Sequence, residues 1–122
     1  MDILEYGGLK MDIHELYKTA GELHGHLCPG LAIGVRASVE AQSHGGKISA
    51  CTLGHRACWV DGIISVLGIK PEIDEQDKAF FDFVGEMGSF RLMLGALPKD
   101  MEKPSLIEYI LTAPMDKIFE LC

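Results

Sequence analysis

Basic residues are scarce in this sequence. Its 11 lysines and arginines stand against 18 aspartates and glutamates, so the formal net charge is −7. Proteins that bind nucleic acid neutralise phosphate groups with a basic surface, and this charge balance therefore predicts no nucleic-acid partner. Long hydrophobic runs are also missing. The longest nearly apolar run covers residues 62–69, whereas a membrane-spanning helix needs about 20 residues, so we expect no membrane partner.

The first five residues, Met-Asp-Ile-Leu-Glu, have neither the basic segment nor the apolar stretch of a secretion signal. Disulfide frameworks are typical of small exported proteins, so we expect the cysteines of this chain to be reduced thiols in a cytoplasmic protein. There are four of them: Cys28, Cys51, Cys58 and Cys122. The 122 residues, of which 48% are apolar and 24% charged, are typical of one globular domain.

Several familiar motifs do not occur. The sequence contains no Gly-x-Gly-x-x-Gly, no Gly-x-x-x-x-Gly-Lys-Ser/Thr and no Cys-x-x-Cys, so the common nucleotide-binding and dithiol signatures are excluded. It also has no internal repeat and no low-complexity segment.

The pattern of apolar residues predicts helices interleaved with strands, which is an α+β fold. Asp12 is a candidate N-cap for the first helix, and proline suits the first turn of the second and fourth helices. The predicted helices cover residues 12–25, 29–44, 56–67 and 104–112, the predicted strands cover residues 47–53, 78–85, 89–97 and 116–121, a hairpin turn is expected at residues 86–88, and residues 71–76 are expected to form an acidic loop.

Glycine pairs and apolar stripes complete this prediction. Gly7-Gly8 and Gly45-Gly46 mark turns. Helical spacing predicts one buried stripe on the first helix and one on the third. The first consists of Ile13, Leu16, Tyr17, Ala20 and Leu23, and the second of Val60, Ile63, Ile64 and Leu67.

The densest group of reactive side chains is His24-x-His26-x-Cys28. Imidazole nitrogen and thiolate sulfur are preferred ligands of zinc and of other first-row metals. A spacing of two residues brings side chains to one face of an extended segment, but not of a helix. Gly25 and Pro29 both argue against continuous helix here. Cys28 also precedes the second helix at its N-cap position, where the helix dipole favours a thiolate.

A second group contains Cys58 and Asp61, three residues apart on the third predicted helix and therefore on one face. Asp61 could bind a metal, orient a histidine or accept a proton. The remaining polar candidates are assigned no role: His14 and His44 are expected on exposed helix faces, and Cys51 is expected in the core.

Two functions from different classes fit these residues. The first is a site for one divalent metal, zinc or another first-row ion, held by His24, His26, Cys28 and Cys58, or by three of them with a water molecule. The second is an enzyme in which Cys28 is the nucleophile or redox thiolate, a histidine is the base and Asp61 orients it.

Two segments resemble the FmdE/FwdE-like family of formylmethanofuran dehydrogenase proteins. Residues 24–37 (HGHLCPGLAIGVRA) are similar to its signature, and residues 58–63 (CWVDGI) are similar to its second motif. The chain has neither the Thr-x-Gly-Lys-Gly-Asn segment common after that motif nor the paired cysteines of a C-terminal zinc finger, so the resemblance is to a short member.

The resemblance implies that residues 1–122 form a single domain of this family. It implies an α+β fold with two N-terminal helices and a mixed β-sheet, related to the catalytic domain of glyceraldehyde-3-phosphate dehydrogenase. It also implies a zinc site at His24, His26, Cys28 and Cys58 with Asp61 nearby, a homodimer, and an association with molybdenum or tungsten enzymes of one-carbon redox metabolism.

Overall fold

The computed structural model describes residues 3–6 and 9–122. These residues form five helices and seven strands. In chain order they are β1 (Ile3–Tyr6), β2 (Leu9–Asp12), α1 (Ile13–His24), α2 (Pro29–Gly45), β3 (Ile48–Leu53), α3 (Trp59–Leu67), β4 (Glu72–Ile73), β5 (Phe80–Gly85), β6 (Gly88–Leu94), α4 (Lys103–Thr112), α5 (Met115–Ile118) and β7 (Phe119–Leu121). The predicted α+β class is confirmed.

The main sheet has five strands in the order β4-β3-β5-β6-β7. The β3–β4 pair is parallel and the other three pairs are antiparallel, so the sheet is mixed as expected. Its inner face carries buried side chains that include Leu53, Phe81 and Leu92. Helix α2 packs on this face against β3, β5 and β6, and it also contacts α1, α3 and α4. The core therefore surrounds α2.

The first two helices begin and end as the sequence predicts. The Asp12 carboxylate accepts a hydrogen bond from the backbone N–H of Glu15 (3.0 Å), which satisfies one unpaired donor of α1. Pro29 opens α2, and Gly46 follows its last residue as C-cap. The prediction that Leu23 belongs to the buried stripe of α1 is wrong, since this side chain is 55% exposed. The buried residues of α1 end earlier, at Ala20 and Gly21.

The start of the third helix and its buried face are corrected by the structure. Helix α3 begins at Trp59 rather than at residue 56. In the turn that precedes it, the carbonyl of His55 accepts a hydrogen bond from the indole N–H of Trp59 (2.9 Å). The predicted stripe is shifted by one position. Besides Ile63, the buried residues are Trp59, Gly62 and Val66, while Val60, Ile64 and Leu67 are only partly buried.

The strand boundaries need smaller corrections. The hairpin between β5 and β6 is confirmed, with Gly85 paired to Gly88. The predicted acidic loop contains the two-residue strand β4, which pairs with the end of β3. The last predicted strand is half helix: α5 precedes β7. The pair β1–β2 was not predicted, and the turn expected at Gly7-Gly8 lies outside the described residues.

Helices α2 and α3 cross with their backbones in contact. A Cβ atom added to Gly34 would lie 2.7 Å from the Trp59 Cα, and one added to Gly62 would lie 2.8 Å from both the Leu31 carbonyl oxygen and the Val35 nitrogen. Only glycine permits this approach. The crossing fixes the start of α3 beside the first turn of α2. Within the described residues, no helix combines the length and apolar character needed to cross a membrane.

Candidate metal centre

The segment after α1 turns the chain so that alternate side chains converge. Gly25 adopts a left-handed conformation (φ 94°) and ends the helix, with its N–H bound to the Gly21 carbonyl. Cys28 is fully extended (φ −152°, ψ 163°) before α2 begins. The prediction that this segment is not continuous helix is therefore confirmed, for the reason given by Gly25 and Pro29.

Cys58 reaches the same place from the other side. It is the N-cap residue of α3, and Cys28 is the N-cap residue of α2. A Cβ atom added to Gly30 would lie 3.0 Å from the Cys58 Cβ and 3.7 Å from its sulfur, so the glycine at the second position of α2 makes room for this thiol. The glycine crossing of the two helices thus brings together two cysteines that are 30 positions apart in the sequence.

Four donor atoms meet at this point. One ring nitrogen each of His24 and His26 and the sulfurs of Cys28 and Cys58 all lie within 4.8 Å of one another. A tetrahedral zinc ion with bonds of about 2.0–2.3 Å separates its ligand atoms by roughly 3.3–3.8 Å. Small side-chain rotations are therefore enough to close the four atoms around one ion. Whether they hold an ion stays a prediction.

His24 is oriented by Asp61. The His24 Nδ1 and a carboxylate oxygen of Asp61 are 2.6 Å apart, and the side chains are 15% and 35% exposed. With Nδ1 donating to the carboxylate, Nε2 is left as the free nitrogen. That atom is buried and has no hydrogen-bond partner in the described part of the chain. Histidines that bind metals are typically held in this way, with the second nitrogen bonded to a carboxylate.

The site opens to solvent on the side of His26. This histidine is exposed, and its ring lies 4.4 Å, centre to centre, from that of His24. Cys28 lies deepest, at 9% exposure, and Cys58 is partly buried. An ion could enter from the His26 side, while the Cys28 sulfur stays largely shielded from water.

The charge balance of the site favours a cation. Burial, a thiol–thiol hydrogen bond with Cys28 and the charges of Cys28 and Asp61 raise the pKa of Cys58, although its own backbone N–H partly opposes this. Two neighbouring thiolates repel each other, and a divalent cation between them would remove that repulsion. The donor set, two imidazoles and two thiols, is one that zinc prefers.

Tyr17 supports the site and was not predicted to do so. Its hydroxyl donates a hydrogen bond to the Cys28 carbonyl oxygen (3.1 Å) from the buried face of α1. Burial, followed by the charge of Cys28, raises the pKa of Tyr17 to about 12. A buried tyrosine hydroxyl needs a partner, and this requirement was the available signal in the sequence.

The other cysteines and a second polar cluster lie elsewhere. Cys51 is buried in β3 as predicted, and Cys122 is exposed. One nitrogen of His55 and a carboxylate oxygen each of Glu75 and Asp77 also lie within 4.8 Å of one another. There His55 is 2.8 Å from Glu75, whose oxygens also accept two backbone N–H groups. These contacts describe a surface ion pair, and we assign it no metal.

Comparison with known families gives a match to the segment that contains the candidate site. Residues 23–73 match the model of a family described as FmdE, Molybdenum formylmethanofuran dehydrogenase operon. This segment is FmdE-like. All four donor residues and Asp61 lie inside this FmdE-like segment, which runs from the end of α1 to β4 and covers somewhat less than half of the chain. A search of the curated proteins found no match.

Proposed function

We propose that this FmdE-like protein binds one divalent first-row metal ion, zinc in the first instance, through His24, His26, Cys28 and Cys58. The observation that carries the proposal is the buried His24 Nε2, which has no partner in the described residues while its ring is fixed by Asp61. A buried polar atom without a partner is costly, and a metal ion would satisfy it.

The residues have distinct tasks in this proposal. His24 and Cys28 form the buried half of the site, and His26 and Cys58 form the half nearer to solvent. Asp61 fixes the tautomer of His24, and Tyr17 fixes the carbonyl of Cys28. The bound ion would supply positive charge that keeps both sulfurs ionised. If three of the four residues bind it, the remaining position is open to water, which is the arrangement of catalytic zinc sites.

Metal analysis of the purified protein tests this proposal. We expect one zinc ion per chain after growth with zinc, and loss of the ion in the Cys28→Ala and His26→Ala variants. Cys122→Ala and His44→Ala are matched controls, because both side chains are exposed and lie outside the four-residue cluster. Circular dichroism shows whether each variant folds. A folded wild-type protein that takes up no zinc would refute the proposal.

The family match supports an accessory role. We propose that the protein acts beside a molybdenum enzyme of one-carbon redox metabolism, or its tungsten counterpart, because the matched family is described by a molybdenum formylmethanofuran dehydrogenase operon. We further propose that it acts in the cytoplasm as a homodimer. Purification of the tagged protein from its native cells tests the partnership, with a co-purifying molybdenum or tungsten dehydrogenase as the expected result. Sedimentation at micromolar concentration tests the dimer, and a monomer alone would contradict it.

A thiol enzyme is the second candidate, and the order Cys28, His24, Asp61 favours it. One ring nitrogen of His24 lies within 4.8 Å of the Cys28 sulfur, and Nδ1 of the same ring is held by the Asp61 carboxylate. This is the arrangement of a nucleophile, a base and an orienting group, with Cys28 and Asp61 as its catalytic residues. Pulsed alkylation separates the two functions. Fast labelling of Cys28 that chelators do not change supports the enzyme, whereas protection that a chelator removes supports the metal site.

A further inference from the structure

The two sulfurs of the site are close neighbours that come from separate helix starts. Cys28 and Cys58 have their sulfurs within 4.8 Å of each other. Gly30, two residues after Cys28, approaches the Cys58 Cβ so closely that an added methyl group would lie 3.0 Å from it. The first turn of α2 is therefore already near the residue that carries the second thiol, and this proximity, with that of the sulfurs, is what a disulfide requires.

Both thiols are free to turn towards each other. Each is the N-cap residue of its helix, yet in the described chain neither side chain makes a capping hydrogen bond. Rotation about the Cα–Cβ bonds therefore breaks no capping hydrogen bond, and at Cys58 it gives up only the contact of the sulfur with its own backbone N–H. The sulfurs need to approach to about 2.05 Å, and side-chain rotation can supply most of that movement.

We propose that Cys28 and Cys58 form a redox-active dithiol, which a low-molecular-weight disulfide such as oxidised glutathione converts to an intramolecular disulfide. Cys58, the more exposed thiol, attacks one sulfur of the oxidant and releases one glutathione thiolate. Cys28 then attacks the Cys58 sulfur of the mixed disulfide and releases the second glutathione. The protein loses two protons and two electrons, and the S–S bond of the oxidant is reduced to two thiols.

Metal binding and this oxidation use the same sulfurs, so they exclude each other. A bound ion would hold both thiolates and slow their oxidation, and the disulfide would leave only His24 and His26 as donors. This regulatory consequence rests on the proposed function. The dithiol itself does not, because the proximity of the sulfurs requires no ion.

Mass spectrometry of the metal-free protein tests the dithiol. The Cys122→Ser variant is used because it removes the exposed thiol at the end of β7. After treatment with oxidised glutathione, we expect the intact mass to fall by two hydrogen atoms and peptide mapping to show Cys28 linked to Cys58. In the Cys58→Ser and Cys28→Ser variants the chain should instead gain one glutathione or none. A link to Cys51, or glutathione retained on Cys58 of the unmodified pair, would overturn the proposal.

A second measurement separates this proposal from the metal site. The zinc-loaded protein is oxidised in the presence of a coloured chelator, and one zinc ion is expected to leave for each disulfide formed. If zinc binds but the Cys28–Cys58 link never forms, the dithiol proposal fails and the metal site stands. If the link forms in a protein that binds no zinc, the dithiol stands and the metal site fails.

Discussion

Replacing Asp61 tests how much of the metal affinity depends on a residue outside the four-donor set. Asp61 contacts His24 at 2.6 Å, and the histidine side chain is only 15% exposed. Removing such a partner of a metal-binding histidine typically weakens metal binding by about 10–100-fold, which corresponds to roughly 1.4–2.7 kcal/mol. We expect Asp61→Ala to fall in this range. Asp61→Asn should lose less, since an amide oxygen can still accept from Nδ1.

The assay is a competition titration of zinc between the protein and a coloured chelator at neutral pH. Asp82→Asn is the matched control. Asp82 also forms a short contact, 2.6 Å from Arg91, but it lies on the strand pair β5–β6. Its substitution should leave zinc affinity unchanged. Affinities of Asp61→Ala equal to that of the wild-type protein would refute the argument that the carboxylate orients His24 for metal binding.

Three other predictions concern the framework and its thiols. Gly34→Ala places a methyl group against the backbone of α3. We expect it to lower the free energy of unfolding, measured in urea, by about 1–3 kcal/mol, and an unchanged unfolding midpoint would contradict the close crossing. Burial raises the pKa of Cys51 to about 12, so iodoacetamide at pH 8 should label Cys122 and spare Cys51 in the folded protein, and equal labelling would argue against the buried position. The hydrogen bond to Glu75 raises the pKa of His55, so the ring keeps its proton to a higher pH than an ordinary histidine. In an NMR titration, Glu75→Gln should return the pKa of His55 towards 6.5. An unchanged titration would contradict the pairing.

Local signals in the sequence are sufficient for the helices that have clear ends. Asp12 caps α1, Pro29 opens α2, and Gly25 and Gly46 follow the ends of these two helices, as expected. Each of these signals acts through a single residue and its neighbours, so no tertiary contact is needed to interpret it. The hairpin of β5 and β6 is predicted for the same reason.

Elements that depend on partners are not predicted. The two residues of β4 are a strand only because they pair with the end of β3. The buried face of α3 is set by its crossing with α2, and this crossing places Trp59 and Val66 inside instead of Val60 and Ile64. Hydrophobic spacing indicates that a helix has a buried face, but the packing partner decides where its edges lie.

Part of the candidate site can also be predicted from local sequence, and part depends on tertiary contacts. The spacing of His24, His26 and Cys28 is a local pattern, and the structure places these side chains together with Cys58. Among the three roles open to Asp61 in the sequence, the structure shows the contact with His24. The hydrogen bond of Tyr17 to the Cys28 carbonyl depends on how α1 packs, so the sequence could show only that a buried hydroxyl needed a partner.

The glycine contact between α2 and α3 has a consequence for engineering. Because α2 and α3 are spaced by main-chain atoms at Gly34 and Gly62, their separation is set by contacts other than those of the side chains at positions 28 and 58. Under the proposed metal binding, histidine or aspartate at position 58, the less buried of the two, should alter which ions are preferred while the helix crossing is kept. The same crossing would then allow different donor sets to be compared at one fixed helix separation.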